Sequence, residues 1–274
     1  MIPASPASPG RWVRSTLRGP VRTRVRRWQD AHRLPPDGRA SGLPDFVGIG
    51  AQRCGTSWWH SLLEQHPEVA GLGWGAKELH FFDDCWGVRD DRELAAAYAA
   101  QFRRRPGQLA GEWTPRYLYD PWAVPSLLRI APQVRLMVML RDPVARFVSG
   151  IQHEVKLAGG RPRPDAVTGA YQRGLYAAQL RPLLELVDRR RLLVLQLERC
   201  RADPDAWLQH TFAFLGLDPH HPRGAGERNR SRPAQPVEER LLAAVRPGYR
   251  RDAAELAALF PDDIDLGLWP GLTS

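Results

Sequence analysis

Asp45-Phe-Val-Gly-Ile-Gly50-Ala-Gln-Arg-Cys-Gly55-Thr-Ser57 decides how this chain is read. Asp45–Gly50 is a short apolar strand running into a loop, and Thr56–Gln65 carries the pattern of a helix. Glycine at both ends lets the backbone curl and turn successive N–H groups toward an anion, while the helix N-terminus adds partial positive charge. The spacing matches the nucleotide-binding pattern GxxxxGK[ST], but Thr56 stands where the lysine belongs. ATP and GTP enzymes place that lysine on the β/γ-phosphates and the next hydroxyl on magnesium. Here the cation is Arg53, inside the loop, which suits a shorter anion whose charge lies close to the backbone. The competing reading is a turn that serves packing alone.

Strand-like and helix-like segments alternate away from this loop. Strands are expected over Val69–Leu72, Gln108–Trp113, Arg135–Leu140 and Arg191–Leu197. Arg135-Leu-Met-Val-Met-Leu140 is the clearest, because its apolar run is continuous rather than alternating. Helices are expected over Asp91–Arg103, Pro121–Ile130, Val144–Leu157, Leu175–Arg189 and Pro204–Leu215. A Gly/Pro/Arg loop is expected through Thr168, and one or two closing helices over Val237–Leu259, interrupted at Pro247-Gly248. This order implies a single α/β domain with a central parallel sheet flanked by helices.

The chain has 274 residues and a formal net charge of +9. Nine arginines between Arg11 and Arg39, against Asp30 and Asp37, put +7 of it in residues 1–40. The body is therefore near neutral, and no nucleic-acid partner is expected. Residues 1–42 read as a basic, disordered segment, with a short basic helix near Val21–Gln29 offering weak membrane-surface contact; the domain is set at 43–274. Cys54, Cys85 and Cys200 are an odd, scattered set without CxxC spacing, which argues against a zinc site or disulfide framework. With no long apolar run and no signal-like leader, the expectation is cytoplasmic.

Two further segments carry chemistry. Lys77-Glu-Leu-His-Phe-Phe-Asp83 places a carboxylate and an imidazole beside two aromatics. A base for hydroxyl attack fits there, and an apolar pocket from Phe81 and Phe82 would raise the carboxyl pKa. Leu140-Arg-Asp-Pro-Val-Ala-Arg-Phe-Val-Ser149 follows the strongest strand, where ligands of parallel sheets gather. Asp142 suits a helix N-cap and Pro143 the first turn. Arg141 offers a fork that matches phosphate oxygens, and Arg146 reads as a surface or helix-face residue.

The stretch Leu43–Trp59 with His66-Pro-Glu-Val69 resembles the 5′-phosphosulfate loop of sulfotransferases that use PAPS (3′-phosphoadenosine 5′-phosphosulfate). It is most similar to the heparan-sulfate-type and bacterial carbohydrate branch. The resemblance implies a P-loop-like sulfotransferase fold, PAPS as donor, PAP (adenosine 3′,5′-bisphosphate) as product, no required metal and a hydroxyl-bearing small-molecule or glycan acceptor. It implies donor contacts from Arg53, Cys54, Gly55, Thr56, Ser57 and Trp58, with Arg141 and Ser149 on the 3′-phosphate. Arg173-Gly-Leu-Tyr176 resembles a further nucleotide-contacting motif. Lys77-Glu-x-His-Phe-Phe resembles the segment holding the base, which carries Glu78 into that role with His80 as rival and Lys77 and Arg53 as charge partners. Glu112-Trp-Thr-Pro115 departs from the family pattern, which has lysine where Trp113 stands; Trp113 is expected to stack on an acceptor ring. Asn229–Pro236 resembles a terminal loop, Glu198 has a structural place, and residues 84–110 and 152–170 are the expected acceptor-facing loops. An ATP-dependent phosphotransferase and a donor-binding protein without catalysis are the alternatives.

Overall fold

The computed structural model describes residues 38–72, 77–87, 90–160, 162–224 and 237–273. Most of the basic leader, including the Val21–Gln29 helix, and the Asn229–Pro236 loop lie outside the described residues.

Five parallel strands form the central sheet: β2 (Phe46–Gly50), β3 (Val69–Ala70), β5 (Leu109–Trp113), β6 (Arg135–Leu140) and β7 (Leu192–Gln196), in the order β3-β5-β2-β6-β7. A separate antiparallel pair joins β1 (Ala40–Ser41) to β4 (Arg103–Arg104), so strand pairing starts two residues before Gly42. In β2, β6 and β7 every residue but Arg135 is buried, as a parallel sheet covered on both faces requires. Each of these apolar side chains contributes about 1.5–3 kcal/mol by leaving water.

Helix α1 (Thr56–Leu63) follows β2, α2 (Asp91–Ala99) lies between β3 and β4, and α3 (Ala123–Ile130) precedes β6. Helix α4 (Pro143–Ala158) opens as its sequence dictates. The Asp142 carboxylate accepts from the amides of Val144 (2.9 Å) and Ala145 (3.1 Å), and Pro143 occupies the first turn.

Several expected boundaries differ, and the helix expected over Asp91–Arg103 ends at Ala99, with Arg103 in β4. The Gly/Pro/Arg stretch forms helix α5 (Pro164–Gln172), with Pro164 in its first turn. Helix α6 spans only Tyr176–Leu184 and carries Pro182 inside it. After α7 (Leu197–Ala202) and α8 (Pro204–Leu215), helix α9 (Glu239–Leu259) runs unbroken through Pro247-Gly248. Gly248 is needed there: a Cβ would sit 1.9 Å from the Tyr171 hydroxyl, so α5 and α9 touch through it. The two expected acceptor loops are likewise largely structured, as α2, β4, the end of α4 and α5.

Candidate active site

Beyond β2 the chain enters a cleft of about 490 Å³. Gln52, Arg53, Gly55, Thr56, Ser57 and Trp58 line one wall. Gly55 adopts φ 83°, and a Cβ there would lie 2.7 Å from Leu197 Cδ1. Only glycine gives this turn both its handedness and its room. It leaves α1 without a side-chain cap, and Thr56 and Ser57 of its first turn line the cleft, an arrangement suited to an anion.

Arg53 also adopts a left-handed backbone (φ 69°), and its Nε donates to Ser149 Oγ at 3.1 Å. Burial lowers the Arg53 pKa, and the like charges of Arg141 and Arg146 lower it further. Arg141 and Ser149 line the same cleft, so the loop and the β6–α4 corner converge on one space. His153, one helical turn after Ser149, and Arg201 on α7 also line it. Sequence reading missed both; the i, i+4 spacing from Ser149 was the available signal for His153.

Three expected donor residues stand elsewhere. Cys54 is fully buried behind the loop, 3.5 Å from the Tyr176 hydroxyl, and burial pushes its thiol up to about 11. Tyr176, also buried, donates to the Arg141 carbonyl at 2.9 Å, so the pair backs the loop rather than facing the cleft. Arg173 stacks over the Tyr119 ring at 4.2 Å and is not among the cleft's lining residues.

The segment Lys77–Asp83 is strapped to β5 and the turn after it. Leu79 N–H donates to Glu112 Oε2 (3.0 Å), His80 N–H to Thr114 Oγ1 (3.2 Å) and Phe81 N–H to the Tyr117 hydroxyl (2.7 Å). Trp113 N–H donates back to the Lys77 carbonyl at 3.1 Å. Glu112, fully buried, holds the network together: Tyr98 (2.7 Å), Tyr117 (3.0 Å) and Thr114 (2.5 Å) hydroxyls donate to it as well. Burial raises the Glu112 pKa against the pull of these donors.

This strap presents Glu78 to the cleft. Lys77 Nζ pairs with Glu78 Oε1 and donates to Thr56 Oγ1 at 3.2 Å. His80 Nε2 lies 3.2 Å from Glu78 Oε2, and its Nδ1 lies 2.9 Å from Asp83 Oδ2. The hydrogen bonds that His80 donates to Asp83 and Glu78 raise its pKa to about 9. The expected apolar setting for Glu78 is corrected here. Phe81 and Phe82 pack into the core against Tyr98, away from Glu78. Burial pushes the Glu78 carboxyl up, but hydrogen bonds and charge from His80 and Lys77 outweigh it, and the net direction is down.

Two further expectations are reversed. Trp113 is fully buried, its indole N–H donating to the Gly50 carbonyl at 3.0 Å, and a Cβ on Gly48 would lie 2.0 Å from its ring. It props the strand beneath the phosphate loop and cannot stack on an acceptor. Arg146, read as a surface residue, is 0% exposed. Glu198 has the structural place expected of it, accepting from Asp142 N–H and from the buried Trp269 indole, both at 3.0 Å.

The glycine loop, the Arg141–Ser149 corner and the Glu78 carboxylate thus line one cleft. The Sulfotransferase domain family matches residues 43–231, and this chain belongs to the PAPS-dependent sulfotransferase family. It is 30% identical over 202 residues to the heparan sulfate glucosamine 3-O-sulfotransferase 6 of Mus musculus, covering 65% of this chain and 57% of the relative. It is 32% identical over 117 residues to the membrane-associated sulfotransferase kil1 of Dictyostelium discoideum, covering 42% of this chain and 24% of that one. The chain spans about half the length of the heparan sulfate relatives it matches. Among solved structures, a sulfotransferase from Alicyclobacillus acidocaldarius shares the fold, with a TM-score of 0.63 at 24% identity over 82% of this chain and 98% of that one.

These relatives overturn the cytoplasmic expectation, since they are named for heparan sulfate and, in one case, for membrane association. The thiol argument fails physically too. All three cysteines are buried, so they pack as small apolar groups whatever the redox state outside. Among the described residues no helix is long and apolar enough to cross a membrane.

Proposed function

We propose that this chain transfers a sulfuryl group from PAPS to a hydroxyl of a carbohydrate, glycolipid or glycosylated natural product. The observation that carries the reading is the meeting of Arg53, Arg141, Ser149 and Glu78 in one cleft. The uncapped α1 N-terminus and Arg53 would hold the 5′-phosphate and sulfonate. Arg141 and Ser149 would hold the 3′-phosphate, the group that separates this donor from ATP.

Glu78 takes the proton of the acceptor hydroxyl, the acceptor oxygen bonds to sulfur, and the bond between sulfur and the 5′-phosphate oxygen breaks. Its carboxylate is ionised at neutral pH, and one lone pair on each oxygen is left after Lys77 and His80 take theirs. His80, already protonated at neutral pH, is unsuited to be the base and orients Glu78 instead. The negative charge gathering on the leaving phosphate is met by Arg53 and the loop amides, and preorganised charge of this kind often contributes more to rate enhancement than any other effect. The heparan sulfate names of the relatives support a glycan acceptor.

Titration with PAP in parallel with ADP and magnesium tests the donor, and sulfuryl transfer from PAPS to a panel of glycans tests the reaction. Tighter binding of ADP with magnesium would favour a phosphotransferase; PAP binding without transfer would favour a non-catalytic protein.

A further inference from the structure

Arg146 is a fully buried arginine whose surroundings do not neutralise it. It sits on α4 three residues before Ser149, so the two side chains lie on neighbouring positions of one helix face. Its guanidinium donates to the Ala170 carbonyl of α5, a neutral group. The Tyr249 hydroxyl of α9, also neutral, is its other hydrogen-bond neighbour. Its Nε is buried with no partner. Among the described residues, no carboxylate comes within ion-pair reach of it: Asp142 caps α4, Asp252 accepts from the α6 amides and Asp120 pairs with Arg116. Its charge lowers the pKa values of Arg53 and Arg173, both positive, in each case behind the effect of burial. A buried ion left in this state is costly to the fold, because desolvation is not repaid by a counter-charge.

We propose that Arg146 is a positioning residue of the donor site, a buried cation whose counter-charge is the 3′-phosphate held at the Arg141–Ser149 corner. The inference rests on the PAPS reading above. The physical basis is linkage: a cation that the fold leaves uncompensated is compensated when a dianion enters beside it, so the site binds the dianion more tightly than its surface contacts alone provide. The dianion need not touch Arg146, since Coulomb interactions reach further in a protein interior than in water. What the site gains in affinity for a 3′-phosphate, the free protein loses in stability. Discrimination for the bisphosphate over the monophosphate therefore draws on Arg146 as well as on Arg141 and Ser149.

The test compares the parent with Arg146→Met, which keeps much of the length and loses the charge, and with Arg146→Lys, which keeps the charge. Three quantities are read for each: the melting temperature of the free protein, the Kd for PAP, and the Kd for adenosine 5′-phosphate. Arg146→Met is expected to melt no lower than the parent, to bind PAP at least about tenfold more weakly, and to bind adenosine 5′-phosphate within about threefold of the parent. Arg146→Lys is expected to retain most of the preference for PAP. PAP binding by Arg146→Met within about threefold of the parent overturns the proposal. So does equal weakening toward both nucleotides, or a variant that melts well below the parent or fails to fold, because each marks a packing role. If the parent itself does not prefer PAP to adenosine 5′-phosphate, the donor reading is what fails. The melting comparison of Arg146→Met with the parent then still decides whether the buried charge is uncompensated.

Discussion

Lys77 Nζ lies 3.2 Å from Thr56 Oγ1, so an ammonium from the strap rests on the residue that fills the lysine position of an ATP-type loop. An ammonium at the position where the loop has Thr56 is thereby supplied from 21 residues further along the chain, and it is shared with Glu78. Lys77→Met should lower kcat by about tenfold to a hundredfold with a smaller effect on PAP affinity, since the ammonium touches loop and base together. Single-turnover transfer beside PAP titration checks this; an unchanged kcat would leave the transition-state charge to Arg53 and the loop amides.

Glu78→Gln removes the base and keeps its size. Turnover should fall about 10²–10⁴-fold while PAP affinity stays within about threefold. His80→Asn should cost less, because its role is to orient Glu78. A dead His80→Asn beside an active Glu78→Gln would reverse the assignment.

His80 ties the strap together in a pH-dependent way. Its folded pKa of about 9 stands above the ordinary value near 6.5. A raised histidine pKa stabilises the fold fully below the unfolded value and loses that contribution as pH rises through the folded one. The carboxylates facing it are Glu78 and Asp83, with Lys77 and Arg116 beside them. The parent should therefore out-melt His80→Gln at pH 6, and the gap should narrow steadily toward pH 10. A gap constant across that range would show that His80 is not held as a cation.

Arg141→Ala should weaken PAP binding by about 2–4 kcal/mol, as removal of a charged partner from a desolvated anion does. Adenosine 5′-phosphate should bind nearly as before. Calorimetry with both nucleotides separates the 3′-phosphate contribution from general damage to the corner.

Trp113 should respond as a core residue. Trp113→Phe loses the indole donor to the Gly50 carbonyl and some volume over Gly48, about 1–3 kcal/mol of stability by denaturant unfolding. Trp113→Lys, which restores the family residue, buries an ammonium in the same space and should cost more. Equal stability of Trp113→Lys and the parent would mean that the side chain escapes to the cleft.

How far the sequence could be read follows from what each segment had to satisfy. β6 and the Gly50–Ser57 loop were plain because a continuous apolar run and fixed glycines have few other uses. That Arg141 and Ser149 lie beside the loop followed from the buried strand and the N-capped helix, whereas their assignment to a 3′-phosphate came from the family resemblance. Helix α5 was missed because its Gly/Pro/Arg approach imitates a loop, whereas Pro164 in fact starts a helix. The break expected in α9 did not occur: the helix carries Pro247 within it, and Gly248 serves instead as the close approach to Tyr171, a contact between distant segments. Trp113 and Arg146 were misplaced because motif position says nothing of whether a side chain points into the cleft or beneath it.

The bonds from Leu79, His80 and Phe81 amides into Glu112, Thr114 and Tyr117 make the strap part of the sheet's own folding unit. A surface loop would trade amide protons with solvent freely; the amides of Leu79, His80 and Phe81 are expected to exchange as slowly as those of the sheet. Because the donors are backbone amides, most side-chain changes within 77–83 would leave the path of the strap intact; a proline at 79, 80 or 81 would delete a donor, and at 79 it would strip a bond from the buried Glu112.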